Sequence, residues 1–415
     1  MISRVHVAIL FALPLLLCPI SPALGKTGPR GVIRIICIGE SYYPETPLPL
    51  LVQSDPKVDY NPLPANMGEG TFTWGGPAAL KRFVRIYIPR GYEGFLERYD
   101  LVILSDYPEI FLEPSHYRWF EMAVRERGAG LAKYELNYGS GGASYPMDPW
   151  RSSAIYPAFP ADLEDRHMPT LGPGGWGRPP DGVRVMEGNP LGDLPGVNRY
   201  DLFGSGMFGI EVPREGSQTI GWFRHTEYAA IITREYGSGR TASTVAGLDW
   251  MDYFAVRSWD FYPDFFLNQF YWLAGEDIPD DILLVNEIRR GLKDLRIRTQ
   301  LVLSVVEFIE TFGASGRELE GDLNEVDELR AYTGDLYLDQ DYEGASDAIE
   351  RVLALMGEIE SNSIVLKDRA LLWVYAIEWL AVSGVSLLCG SILYTLMVRR
   401  SMYREVSTTR LSVEA

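Results

Sequence analysis

Two apolar stretches, residues 7–20 and 371–398, bracket the chain, and together they fix which side of a membrane everything between them can occupy. The first has Arg4 ahead of it and Ala23-Leu24-Gly25 behind it. That is the layout of a cleavable secretory signal, residues 1–25, with cleavage expected after Gly25. Cys18 raises a lipoprotein signal as the alternative, but Leu17 stands where such a signal needs a small residue. The second stretch is long enough to cross a hydrocarbon layer about 30 Å thick at about 1.5 Å per helical residue. Arg399, Arg400 and Arg404 follow it, and an excess of positive charge belongs on the cytoplasmic side. The expectation is a single-pass protein of the cell membrane. Residues 26–370 lie outside, 371–398 span, and 399–415 form a cytoplasmic tail too short for a folded signalling domain.

The formal net charge of −18 argues against nucleic acid as a partner, because phosphate recognition needs a basic face. Of the three cysteines, Cys18 leaves with the signal and Cys389 falls in the span. Cys37 is therefore alone in the exterior, and no intramolecular disulfide is expected there. It sits in the run Val32-Ile33-Arg34-Ile35-Ile36-Cys37-Ile38, which reads as a buried strand with a structural thiol.

Residues 26–278 alternate β-rich and helical runs, the pattern of an α/β domain around a mainly parallel sheet. Candidate strands are 32–38, 83–88, 101–104, 131–136, 229–234 and 241–245. Most are continuous apolar runs, as a sheet covered on both faces requires. Residues 115–127 read as a covering helix ended by Gly128 and Gly130, and 261–274 as a second helix rich in aromatics.

Within this region the blocks YDLVILSDYP, AVRERGAGLAKYELNYGSGG, EDRHMP, GNPLGDLP and YGSGRTASTVAGLDWMDYFAVRSWDFYPDFFLNQFYWLAG occur in that order. Their order and spacing resemble the glutamine amidotransferase-like family, a branch of the class I glutamine amidotransferase superfamily related to the ThuA-like proteins. The resemblance implies a flavodoxin-like sheet with any ligand cleft beyond the carboxyl ends of its strands. It also implies a cysteine on a tight strand-to-helix turn, activated by a histidine that a carboxylate orients. The turn expected after 131–136 is Asn137-Tyr138-Gly139-Ser140-Gly141-Gly142 and carries no cysteine, which removes the glutaminase nucleophile.

Ser140 is the candidate substitute, although Tyr138 occupies one glycine position of a serine elbow. His225-Thr226-Glu227 supplies the base-and-orienter spacing, yet it precedes strand 229–234 rather than following a late strand. The competing reading is a surface-loop histidine. Residues 172–177 satisfy G-x-G-x-x-G, but Arg178-Pro179-Pro180 follows and cannot open a phosphate-binding helix normally. His116, His167 and His225 are scattered without metal-ligand spacing, so neither metal nor cofactor is expected. Topology places the floor of a cleft just after the strands, at Gly39, Glu40 and Ser41, at Ser105 and Asp106, and at Asn137 and Gly139.

Beyond Pro279 the composition shifts to long helices, and residues 279–370 read as a helical stalk. Ile288, Leu292, Leu295, Thr299, Val302, Val306 and Ile309 form a heptad stripe, and a second helix over 317–339 turns Leu319, Leu323, Val326 and Leu329 inward. The stripe resumes at Ala345, Ile349, Val352, Met356, Ile359, Ser363 and Leu366, so one helix is expected from residue 342 to 400. Residues 333–355 also read as one tetratricopeptide-type hairpin, with a plain helical hairpin as the alternative. In the span, Glu378 fits the outer headgroup level beside Trp373 and Trp379. Ser383, Ser386 and Gly390 share a face that would admit a second helix. The reading is a membrane-anchored, non-catalytic module that binds a ligand or protein, with self-association or a membrane-protein partner through stalk and span. A cell-envelope hydrolase or carbohydrate-acting enzyme with a non-cysteine site is the alternative.

Overall fold

The computed structural model describes residues 27–39, 52–64, 76–105, 109–134, 148–167, 183–199, 209–224, 226–244, 259–311 and 317–411. The strands are β1 Ile33–Gly39, β2 Val58–Pro64, β3 Leu101–Ser105, β4 Gly130–Tyr134, β5 Ala161–His167, β6 Val183–Val185, β7 Gly209–Pro213, β8 Ser217–Phe223, β9 Ala229–Tyr236 and β10 Gly239–Thr244. The helices longer than one turn are α1 Gly76–Tyr87, α2 Tyr92–Leu96, α3 Pro114–Arg127, α4 Asp148–Ser152, α5 Tyr262–Ala274, α6 Ile282–Thr311, α7 Arg317–Leu338 and α8 Tyr342–Leu411.

One sheet of eight strands runs β2-β1-β3-β4-β10-β9-β8-β6, and β5 pairs with β7 in a separate ribbon. The first five strands pair parallel, and β10-β9-β8-β6 pair antiparallel. Alternate residues of the same strands enter different cores, as a period of two requires. Ile33, Ile35, Leu101, Ile103 and Ala132 pack with Phe265, Phe266 and Phe270 of α5. Ile36, Ile38, Val102, Leu104 and Leu131 pack with Tyr117, Phe120 and Val124 of α3. The sheet is thus buried on both faces, which explains its unbroken apolar runs.

The helix ends follow local chemistry. Gly128 and Gly275 take left-handed conformations with φ of 75° and 80° and close α3 and α5. The Glu113 backbone N–H donates to His116 Nδ1 at the start of α3, and burial lowers the His116 pKa. The β9–β10 turn lies against the end of α3, where Ser238 N donates to Arg125 O at 2.8 Å.

Residues 83–88 are not a strand: 83–87 close helix α1 and Ile88 follows it. Phe83, Val84 and Tyr87 are half-buried and Ile88 buried, while Arg82, Arg85 and Ile86 face outward. A short run of mixed apolar and basic residues fits both periods, and packing decided for the helix.

The chain divides into two compact units, Met1–Lys293 with Thr333–Ser346, and Asp294–Tyr332 with Asp347–Ala415. The division therefore crosses the three long helices instead of following the Pro279 boundary. In α6 the residues Ile288, Leu292, Leu295, Val302, Val306 and Ile309 are buried, and Thr299 turns its hydroxyl onto Leu295 O at 2.8 Å. In α8 Ala345, Ile349, Val352, Met356, Ile359 and Ser363 are buried in the same heptad order. Helix α8 is continuous from Tyr342 to Leu411, beyond the expected Arg400. From Leu372 to Val398 its large apolar side chains are exposed, Trp379 at 75% and Leu387 at 73%, so the helix is long and apolar enough to cross a membrane. Gln340, at φ 64°, breaks the chain between α7 and α8, and Asp341 caps α8 by accepting from Gly344 N at 3.0 Å.

Candidate functional site

Register brings Gly39, Ser105, Tyr134 and Thr244 into one row across β1, β3, β4 and β10, at the carboxyl ends of these parallel strands. Residues paired in this way point to the same face, here the face covered by α5. Ser105 and Thr244 are buried, and their hydroxyls have no hydrogen-bond partner among the described residues. Between them the Tyr134 hydroxyl donates to Gln269 Oε1 of α5 at 3.2 Å, and Gln269 Nε2 has no acceptor among the described residues. Burying such a group unpaired costs about 1–3 kcal/mol, so the three together form a polar row that the described residues leave unsatisfied.

Cys37 lies on this face within β1, fully buried, and burial pushes its thiol up to about 12. Burial likewise raises the hydroxyls of Tyr60 and Tyr134 beside it. A thiol held protonated and sealed is no nucleophile. Cys37 is thus a buried structural thiol.

Of the residues expected to line a cleft, Ser105 falls in the polar row. Glu40, Ser41, Asp106, Asn137 and Gly139 lie outside the described residues, as do the catalytic candidates Ser140 and His225. Glu227 is described and exposed. Its position corrects the topological objection raised by the sequence. Strand β9 runs antiparallel to β10, with Ile231 opposite Thr244, so the β8–β9 connection returns to the carboxyl edge of the parallel strands. Residues 226–228 therefore lie on the same edge as Ser105 and Tyr134, with β9 about 10 Å from β4, two strand spacings away.

The opposite face of the same strands holds a site that sequence reasoning missed. Lys133 of β4, Glu211 of β7 and Ser243 of β10 are all buried. The Lys133 ammonium donates to Glu211 Oε1 and lies 3.3 Å from Ser243 Oγ, while the Ser243 hydroxyl donates to Glu211 Oε2. Each polar group has a partner, and the arrangement clips the β5–β7 ribbon to the main sheet. The available signal was the lysine itself, since a buried strand carries one only when it is paired.

No family model matches the chain, and no curated protein matches it. Solved structures do. It is similar to a cytoplasmic protein from Salmonella typhimurium, with 17% identity over 58% of this chain and 99% of that one, at a TM-score of 0.40. A second cytoplasmic protein, from Salmonella typhimurium LT2, has 15% identity over the same shares, also at 0.40. A beta-galactosidase from Rahnella sp. R3 has 14% identity over 52% of this chain and 29% of that one, at 0.27.

Proposed function

We propose that the chain is a membrane-anchored, extracytoplasmic binding module of glutamine amidotransferase-like architecture that performs no glutaminase chemistry. The observation that carries the anchoring is the exposed apolar surface of α8 over Leu372–Val398, which water would leave unpaid by any burial. Arg399 and Arg400 behind it support a cytoplasmic carboxyl end. The parallel order β2-β1-β3-β4-β10 corresponds to the 2-1-3-4-5 order of flavodoxin-like sheets, which supports that fold and a ligand beyond the carboxyl ends. Ser105, Thr244 and Gln269 offer only neutral hydroxyl and amide groups, so the ligand favoured there is neutral and rich in hydrogen-bonding groups. Ser383, Ser386 and Gly390, within the exposed stretch of α8, supply the small-residue face for self-association or a membrane-protein partner.

The anchoring is tested on the full chain expressed in membranes. Carbonate washing is expected to leave it in the pellet, and protease added from outside to digest the α/β region while sparing the span. Release by carbonate sinks the reading. Ser386→Leu with Gly390→Leu is expected to weaken association in a membrane two-hybrid assay; an unchanged signal removes the small-residue face from it.

A second reading is favoured by the direction of β9. Because the 226–228 connection reaches the carboxyl edge, a Ser140, His225, Glu227 hydrolase is topologically allowed. Labelling by a fluorophosphonate probe that Ser140→Ala abolishes would establish it and displace the non-catalytic reading.

A further inference from the structure

One guanidinium gathers widely separated stretches of the α/β unit. Arg289 of α6 is buried; its Nε donates to the Tyr337 hydroxyl of α7 at 3.0 Å, and Nη1 donates to Asp264 Oδ1 of α5. Nη2 lies 2.7 Å from Asp55 Oδ2, an ion-pair distance without hydrogen-bonding geometry, and the guanidinium carbon is 5.6 Å from the Tyr271 ring centre. Among the described residues, two buried carboxylates thus share one cation. Lys57 does not restore the balance, because its ammonium is paired with Glu276 at 2.7 Å.

The carboxylates are unequally supported. Asp55 accepts from the Tyr271 hydroxyl at 2.9 Å, the Tyr337 hydroxyl at 3.1 Å and the Lys57 backbone N–H at 2.7 Å, besides its ion pair. Asp264 has Asn286 Nδ2 at 2.6 Å and the shared arginine. More donors stabilise a buried anion better, so the excess negative charge falls on Asp264. We propose that Asp264 is the proton-binding member of this cluster, and that the cluster is a latch between α5 and α6 that tightens in acid and loosens as the solution becomes alkaline.

Among the described residues, the charged and titratable groups facing the cluster come from several elements. Loop 52–57 contributes Asp55 and Lys57, α5 contributes Asp264 and Tyr271 with Glu276 just beyond it, α6 contributes Arg289, and α7 and α8 contribute Tyr337 and Tyr342. Asp280 acts on Tyr342. Burial pushes the Asp264 carboxyl above its ordinary value; Arg289 and Asn286 oppose this, and Asp55 adds to it. The hydroxyls of Tyr271 and Tyr337 are raised by burial and stay protonated donors to Asp55. A carboxyl raised in the folded state contributes stability that is complete below its unfolded value and lost as pH rises through the folded one. The latch has a place to act, since α5 also carries Gln269 of the carboxyl-edge row.

The test is amide hydrogen exchange of α5 and the first turns of α6, on the full chain in nanodiscs, between about pH 5 and pH 8 and corrected for chemical exchange. In the wild type, opening is expected to become several-fold more frequent toward the alkaline end. Asp264→Asn keeps an acceptor for Arg289 but binds no proton, so its protection should stay high and independent of pH. Asp55→Asn gives Asp264 the whole cation, so the dependence should move to lower pH. If Asp264→Asn keeps the wild-type slope, or if both variants behave alike, the assignment is overturned. Should either variant fail to fold, the infrared band of a protonated buried carboxyl in the wild type decides. Its disappearance with alkalinisation in step with the exchange supports the latch, and its absence across the range overturns it.

Discussion

Two buried ion clusters in the α/β unit differ in their arithmetic. Lys133 and Glu211 are one cation and one anion, and Ser243 completes the set. Arg289 faces two carboxylates, Asp55 and Asp264, with a layer of tyrosine hydroxyls around them. The balanced cluster joins a ribbon to a sheet and has nothing left to give. The unbalanced one joins helices, and its extra charge makes one member responsive to protons. Burial alone therefore does not define a structural ion pair, because the count of charges inside decides whether it can titrate.

The largest effect expected from breaking this comparison is at Arg289. Arg289→Met strands two buried carboxylates, and the loss should reach or exceed the roughly 3–5 kcal/mol typical of removing one partner of a buried pair. Denaturant unfolding of the full chain in detergent measures it, and a loss below about 1 kcal/mol contradicts the cluster as described. Glu211→Ala comes next, at about 3–5 kcal/mol, because it leaves the Lys133 ammonium unpaired in the core. Lys133→Met combined with Glu211→Leu should recover most of that loss. If the double variant is as unstable as the single, the clip matters through something other than charge. The smallest effect is outside both clusters, at the α7–α8 turn. Gln340→Gly relieves a left-handed side-chain conformation and should stabilise by about 1 kcal/mol, read as a small rise in the denaturation midpoint.

Much of the helical region was readable because its signals are local. The heptads at Ile288–Ile309 and Ala345–Ser363 alternate steps of three and four, and the same residues are buried in the bundle. The turn after residue 338 was also placed, between a helix expected over 317–339 and one expected from 342. A non-glycine residue with positive φ and an aspartate cap form it. In the α/β region β1, β3, β4, α3 and α5 stood out by their apolar runs and glycine stops. Residues 83–88 misread as a strand, since a six-residue run does not separate a period of two from one of 3.6. Ser105 was placed at the sheet edge by topology, but Thr244 and Gln269 were not, because nothing local marks a threonine or glutamine that will be buried unpaired.

By itself the sequence determined a membrane-length apolar helix, the stripes that lead into it, and a stretch after β4, residues 135–142, without cysteine. Each is a property of adjacent residues, set by side-chain chemistry and a repeating backbone. Only the tertiary structure decided that β9 turns its preceding connection to the carboxyl edge, and that Asp55 and Asp264 compete for Arg289. Asp55 and Tyr337 meet across 282 positions of chain, and the pairing of charges at that separation is fixed by packing and desolvation, which no local pattern encodes.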